Sequence, residues 1–339
     1  MKRSALLAVF FSVVLPTLAS AQTWPELKLI DEHPVDNMRG GNLSGLAVCN
    51  GELWTESDRD DDQVYKLDIS QRVFKAIAYP FKAPSPPDSG LSLSIKATVL
   101  AATVARGGRL DFEGITCDAA GNRYVVSEGY ASVLKLPVDG SAPFWLDISP
   151  SVVAQARAAG LLQHFNAIFE GVTIDPEGNR LWLAAEHSAR GLLAVRRDGT
   201  QWGCGDTCVV MHEDGLIPLP KQLSGPAFPP LPMDFSDLAF YHGKLFTLER
   251  VAHQICRRDL QHGAVEACWS FADVTLAEHR RYHTPFGVLE ALVVDDKGAW
   301  LGVDNNFAVR QDGEQRPVVF RFALPKGGWD APPQANNSK

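Results

Sequence analysis

A short motif returns five times along the chain and constrains its fold more than any other feature. Each copy opens on Phe or Leu, continues with Glu or Ser and then a small or acidic residue, and runs into an apolar stretch. The copies are Leu43-Ser44-Gly45-Leu46-Ala47, Phe112-Glu113-Gly114-Ile115-Thr116, Phe169-Glu170-Gly171-Val172-Thr173, Phe235-Ser236-Asp237-Leu238-Ala239 and Leu289-Glu290-Ala291-Leu292-Val293. After each comes a turn containing Gly or Asn, residues that tolerate the positive φ of a hairpin. A second strand then follows, with Leu53-Trp54, Tyr124-Val125-Val126, Leu181-Trp182-Leu183, Leu245-Phe246 or Trp300-Leu301. Such aromatic and branched residues suit a pleated surface. Self-similarity at this period marks a radial or stacked repeat of hairpins, not a doubly wound fold.

The pattern predicts an all-β chain forming a single β-propeller, with five blades preferred and six as the alternative. The anchors lie 54 to 69 residues apart, more than the about 40–50 residues of a four-stranded blade. The surplus belongs in loops. Pro80–Gly90 and Ile217–Pro232 are too proline-dense for central strands. Ser149-Pro150 reads as the cap and first turn of a helix running through Ala154 to Leu162, and a second helix is expected over Leu276–Tyr282. The alternating run Pro317–Leu324 and the early Leu27-Lys28-Leu29-Ile30 supply strands from both ends, the means by which a propeller closes its ring.

Met1-Lys2-Arg3, the apolar run Ala5–Leu15 and Ala19-Ser20-Ala21 have the form of a secretory leader over residues 1–21, too short to span a bilayer. The expected organisation is therefore a leader, a propeller domain over residues 22–326 and a flexible tail over 327–339. Such a chain is exported, to periplasm or medium, with no integral membrane anchor. Six cysteines are then free to pair. Cys204 and Cys208 bracket a tight loop, Cys256 and Cys268 flank a hairpin-like stretch, and Cys49 and Cys117 follow successive anchors, where a bridge would join neighbouring blades. CxxC-type pairs suited to zinc thiolate ligation are absent. With 32 basic against 40 acidic residues and no dense basic stripe, nucleic acid is not an expected partner.

The candidate chemistry lies in recurring acids. Glu113, Glu170 and Glu290 occupy one repeat position, and a carboxylate recurs near the end of the second strand as Glu56 or Asp58, Glu128, Glu186, Glu249 and Asp304. Like charges gathered at one axis raise one another's pKa unless a cation compensates. A hard ion with oxygen ligands, most simply Ca²⁺, meets that demand. The strand-end acids are expected to face a channel mouth more readily than the anchors, although capping or pairing with Arg within a blade accounts for any single one. Asp58, Asp60, Asp61 and Asp62 read as a solvated loop, since Gln63 and Ile69 break the calcium-loop pattern. Glu186 and His187 are candidates for moving a proton, but successive strand residues point to opposite faces, and Glu249 with Arg250 meets the same objection. Glu278, His279 and His283 lack the H-E-x-x-H order of zinc proteases. Trp54, Trp182 and Trp300 are expected in blade cores. No G-x-S-x-G nucleophile elbow is present, which excludes an α/β-hydrolase esterase.

Phe112-Glu113-Gly114-Ile115 with Ser127-Glu128, and Phe169-Glu170-Gly171-Val172 with Glu186-His187, resemble the phytase-like family described as having esterase-like activity of phytase. The resemblance covers roughly residues 40–325. It implies an extracytoplasmic, metal-binding propeller and suggests hydrolysis of a small-molecule ester or phosphoester. Ser44 and Ser236 depart from the motif where other copies carry Glu, and no basic cluster matches the phosphate-gripping set of a propeller phytase. Two other readings stay open: a non-catalytic propeller binding a ligand or protein of the cell envelope, and a lactonase, for which Asn305-Asn306 is the local candidate for an Asn-rich ion shell.

Overall fold

The computed structural model describes residues 24–106, 108–186, 189–223, 229–284 and 287–332. The expected leader, His187 and most of the expected tail lie outside these residues.

The five motifs become the innermost strands of five antiparallel units: Gly45–Cys49, Phe112–Cys117, Phe169–Ile174, Asp237–Tyr241 and Leu289–Asp295. Each pairs with the strand after its turn: Glu52–Glu56, Arg123–Ser127, Arg180–Ala185, Lys244–Glu249 or Gly298–Val303. Third and outer strands complete each unit. Consecutive innermost strands touch, and the first also touches the last, so they enclose a central axis. This is a β-propeller.

Closure uses both chain ends, as the two terminal strand patterns predict. The N-terminal strand Leu29–Asp36 lies antiparallel to Val318–Ala323 at the outside of the last unit. Its end also pairs in parallel with Phe74 and Lys75 of the first unit. The ring is thus sealed by backbone hydrogen bonds, leaving no open edge at the seam. Cys49 and Cys117, at the ends of neighbouring innermost strands, form one disulfide; Cys204–Cys208 and Cys256–Cys268 form the others, the last pair lying directly opposite in a hairpin.

Small residues in the motif are dictated by this ring. A Cβ on Gly171 would lie 2.7 Å from Cα of Asp237, and one on Gly114 would lie 2.7 Å from the Glu170 carbonyl oxygen. Neighbouring units meet there backbone to backbone, which leaves no room for a side chain. Apolar side chains fill the remaining space between units, Phe112, Phe169 and Phe235 being fully buried.

The insertions sit as expected in part. Ser149 caps the helix Pro150–Ala158, accepting from the Ser151 amide with Pro150 in the first turn. The helix Leu93–Arg106 was not read from the sequence: its leucines, valines and threonines read equally as a strand, although Ser92 caps it by accepting from the Ile95 amide. Over Leu276–Tyr282 the expected helix does not form; a short helix, Ala272–Thr275, precedes it and one 3₁₀ turn covers Glu278–Arg280. His279 and His283 are therefore not an i, i+4 pair on a helix. The described start of the tail is anchored, not frayed: Trp329 is buried against Phe246 and Trp269, and its Nε1 donates to the Asp295 carbonyl. Trp54 and Trp182 are buried, while Trp300 is half-buried beneath Arg321.

Substituting Gly171→Ala must displace backbone of the next unit. The expected loss is about 1–3 kcal/mol, the range for overpacking, read as a lower midpoint in urea unfolding.

Candidate metal centre

Strand register decides which acids reach the axis. Gly45 pairs with Glu56, Gly114 with Val126, Gly171 with Ala184, Asp237 with Leu248 and Ala291 with Gly302. Two residues beyond each partner come Asp58, Glu128, Glu186, Arg250 and Asp304. These are the equivalent strand-end positions, and a one-residue offset turns a side chain to the other face. Glu249 falls one residue short of that position. It lies between Arg190 and Arg258, at 3.0 and 2.6 Å, and both guanidinium groups stack on Phe235. Burial alone would raise its pKa, but the two arginines outweigh burial and hold it down at about 2. The structure therefore sets Glu249 apart from the other candidates, and Arg250 takes its place.

The mouth of the ring is a cavity of about 490 Å³ lined by Asp58, Glu113, Glu170, Glu186, Glu290 and Asp304, with Asp234, Asn166 and Arg250. Both repeat sets meet here, so the anchor glutamates reach the mouth as well as the strand-end acids. Two carboxylate groups are tight enough to share an ion: Asp58, Asp111 and Glu113 in one, Glu128, Glu170 and Glu186 in the other, each with ligand atoms within 4.8 Å of one another. All six are buried.

Burial and mutual repulsion act together on these groups. Glu113 is raised well above the usual carboxylate range by burial and then by Glu170 and Asp111. Glu170 is raised by burial and by Glu186 and Glu128, and Asp304 by burial and Glu290. Arg250 relieves part of this charge. It donates to Glu186 at 2.9 Å, to Asp234 at 3.2 Å and to Glu290. With Arg250 beside them, Glu290 and Asp234 rise only to about 6 under the effect of burial. Arg59 reaches Asp58 at 3.0 Å, and Asn42 donates to the same carboxylate at 2.9 Å. The Glu128 carboxylate accepts from the Ile168 amide at 3.1 Å.

The loop Asp58–Asp62 differs from the solvated face expected of it. Asp58 and Asp60 are buried. Asp60 accepts from Arg39, Gln63 and Tyr65, Asp61 accepts from the amides of Arg109 and Leu110, and Asp62 pairs with Arg39. Three of its four acids thus fold the loop, and Asp58 is delivered to the mouth. Asp111 and Asp234, one residue before their anchors, were missed by the repeat comparison because the equivalent positions in other units are not acidic; the register of the motif was the signal that could have found Arg250.

Glu56, the alternative to Asp58 in the first repeat, faces the waist below the mouth. A Cβ on Gly45 would touch its Oε1 at 2.7 Å and Cα of Gly114 at 2.9 Å, so the carboxyl lies over Gly45 against the second unit. It is fully buried, and neither oxygen has a hydrogen-bond partner among the described residues. Burial pushes it to about 8.

A group whose folded pKa is raised favours folding below its unfolded value and loses that contribution as pH climbs through the folded value. Glu56→Gln should therefore leave stability unchanged near pH 4 and raise it progressively up to about pH 8, by a few kcal/mol, in chelator-treated protein. Denaturant melts across that range check the sign. Arg250→Gln leaves Glu186, Asp234 and Glu290 without their guanidinium; breaking a buried pair costs about 3–5 kcal/mol, and added calcium should recover part of the lost melting temperature.

Residues 39–203 match the family model described as Phytase-like: Esterase-like activity of phytase. No curated protein matches the chain. Among solved structures, the glutaminyl cyclase of Myxococcus xanthus is 11% identical with a TM-score of 0.45, over 88% of this chain and 97% of that one. The PQQ-bound aldose sugar dehydrogenase of Streptomyces coelicolor is 12% identical with a TM-score of 0.44, over 88% and 98%. A gluconolactonase of Xanthomonas campestris is 11% identical with a TM-score of 0.41, over 83% and 72%.

Proposed function

We propose that this phytase-like propeller is an exported, calcium-dependent hydrolase acting on a small-molecule ester or phosphoester at its acidic mouth. The observation that carries the reading is a pair of buried carboxylate triads at one cavity, lined by Asp58 and Glu113 of the first and by Glu170 and Glu186 of the second. Their donors are all hard oxygens, and burial, followed by repulsion from neighbouring carboxylates, pushes Glu113 and Glu170 well above the usual carboxylate range. That donor set fits Ca²⁺, which accepts six to eight oxygens in flexible geometry, better than an ion that prefers nitrogen or sulfur. Glu128 and Glu170, beside Glu186, would hold one ion, and Asp58, Asp111 and Glu113 are the second set able to do so. A bound ion would supply Lewis-acid activation of the ester or phosphoryl oxygen.

The chain's own residues supply the rest. Glu186 has one oxygen fixed by Arg250, which orients its carboxylate toward the cavity that it shares with substrate. Held there, it can accept a proton from an attacking water, the task that needs a positioned base within hydrogen-bond reach. Arg250 acts through Glu186 and is a positioning residue. His187 remains a proposal from the sequence. The three disulfides suit an oxidising compartment, which supports export.

A second reading, a propeller that binds a ligand without turnover, is favoured by one observation: Arg250 already neutralises part of the acidic cluster, as a structural network would. The two readings part on measurement. Calcium should raise the melting midpoint, since a ligand specific for the folded state stabilises it, and Glu170→Gln should shrink that rise. An unchanged midpoint at millimolar calcium sinks the metal site. A panel of p-nitrophenyl esters, phytate and lactones should show turnover in at least one class, reduced roughly 100-fold or more in Glu186→Gln, the scale of general-base loss. Calcium binding with no turnover across the panel would establish the binder.

A further inference from the structure

A second cavity of about 210 Å³ adjoins the acidic mouth, and the two share Thr284, Gly287 and Val288 as walls. Its chemistry is the reverse of its neighbour's. Among the described residues no carboxylate lines it; Leu223, Leu276, Leu289, Val303 and Phe320 are its apolar walls, with His253, Tyr282 and His283 beside them. At about seven times the roughly 30 Å³ share of a liquid water, it has room for one ring or a short alkyl chain.

Cations border this apolar space. Arg280 is neutralised by Glu32 at 2.6 Å. Arg281, half-buried, donates its Nε to the Leu276 carbonyl at 2.6 Å and has no carboxylate partner among the described residues. A partly desolvated guanidinium without an anion attracts one, and a planar carboxylate matches its donors two at a time. Acids crowd the mouth next door, so a substrate anion entering there would meet repulsion, whereas the same anion in the side cavity meets Arg281.

We propose that this side cavity holds an apolar group ending in a carboxylate, and that the substrate is an ester whose one arm is such a group while its ester bond lies at the acidic mouth. This rests on the hydrolase reading for the position of the bond, but binding in the side cavity is separable from it. A highly phosphorylated ring would bring more charge than Arg281 can match and would leave the apolar walls of Leu223, Leu276 and Phe320 without a partner.

The test is calorimetric titration of the full chain with 3-phenylpropionate, 3-phenylpropanol and inositol hexakisphosphate, with and without calcium. Phenylpropionate should bind, and more tightly than the alcohol. Arg281→Gln should weaken it roughly 10- to 100-fold, the worth of one charge-assisted hydrogen bond, and Arg281→Lys should restore part of the loss. Leu276→Trp, which fills the cavity, should abolish binding; a cooperative melt without calcium shows that each variant is folded, and the calcium shift in melting midpoint should stay as in the parent. Phenylpropionate binding that is absent, equal to the alcohol's, or unchanged in Arg281→Gln overturns the proposal even if calcium still stabilises the chain. Binding that behaves as expected while calcium has no effect overturns the metal reading and leaves the side cavity standing.

Discussion

Backbone-to-backbone approach of the innermost strands is the contact on which the rest of this molecule depends. Gly114 and Gly171 let consecutive units meet backbone to backbone, and Gly45 brings the first unit equally close to Gly114 with only the Glu56 carboxyl over it. Drawing the units together draws the residues beside each glycine together as well. Glu113, Glu170 and Glu290 are neighbours of that contact in sequence, and Asp58, Glu128, Glu186 and Asp304 are its neighbours across the hairpin. The packing that stabilises the fold therefore creates a concentration of like charge that destabilises it. Arg250 and Arg59 offset part of this from within, and protons or a cation must offset the remainder.

Unit four resolves that conflict differently from the others. It places Ser236 at the anchor, Asp237 where others have Gly or Ala, and Arg250 at the strand end. Asp237 is buried with its carboxyl oxygens accepting from the amides of Leu238 and Leu292, and so ties units four and five together. Arg250 then faces three carboxylates from units three, four and five. The departure from the repeat is thus a local reversal of sign in a ring that is otherwise acidic. Glu249, displaced to the other face, contributes to the blade through Arg190, Arg258 and Phe235.

How much of this was legible depended on the kind of signal. Repeating hairpins, turn residues and terminal strands identify a propeller because periodicity and turn chemistry are local properties of the chain. Cysteine spacing pointed to the three bridges for the same reason, two being local and the third joining equivalent points of successive repeats. The helix Leu93–Arg106 carried only the Ser92 cap as a mark, and the 3₁₀ turn at Glu278–Arg280 is held by partners far along the chain, the Asp312 amide on the His279 carbonyl and Glu32 on Arg280. Among site residues, Glu113, Glu170, Glu186, Glu128, Glu290 and Asp304 were visible as recurrent acids. Arg250 and Glu249 were exchanged because adjacent strand residues differ only in the face they present.

The sequence by itself determined the repeated strand unit, its turns and the supply of acids, since each is a matter of residue type at a fixed local spacing. Tertiary structure alone decided which acids share a cavity, that Asp58 is delivered there while Asp60, Asp61 and Asp62 fold their loop, and that an apolar cavity bordered by Arg281 adjoins the acidic one. Those outcomes turn on strand register and on distances between residues far apart in the chain, where a single step along a strand reverses the direction of a side chain.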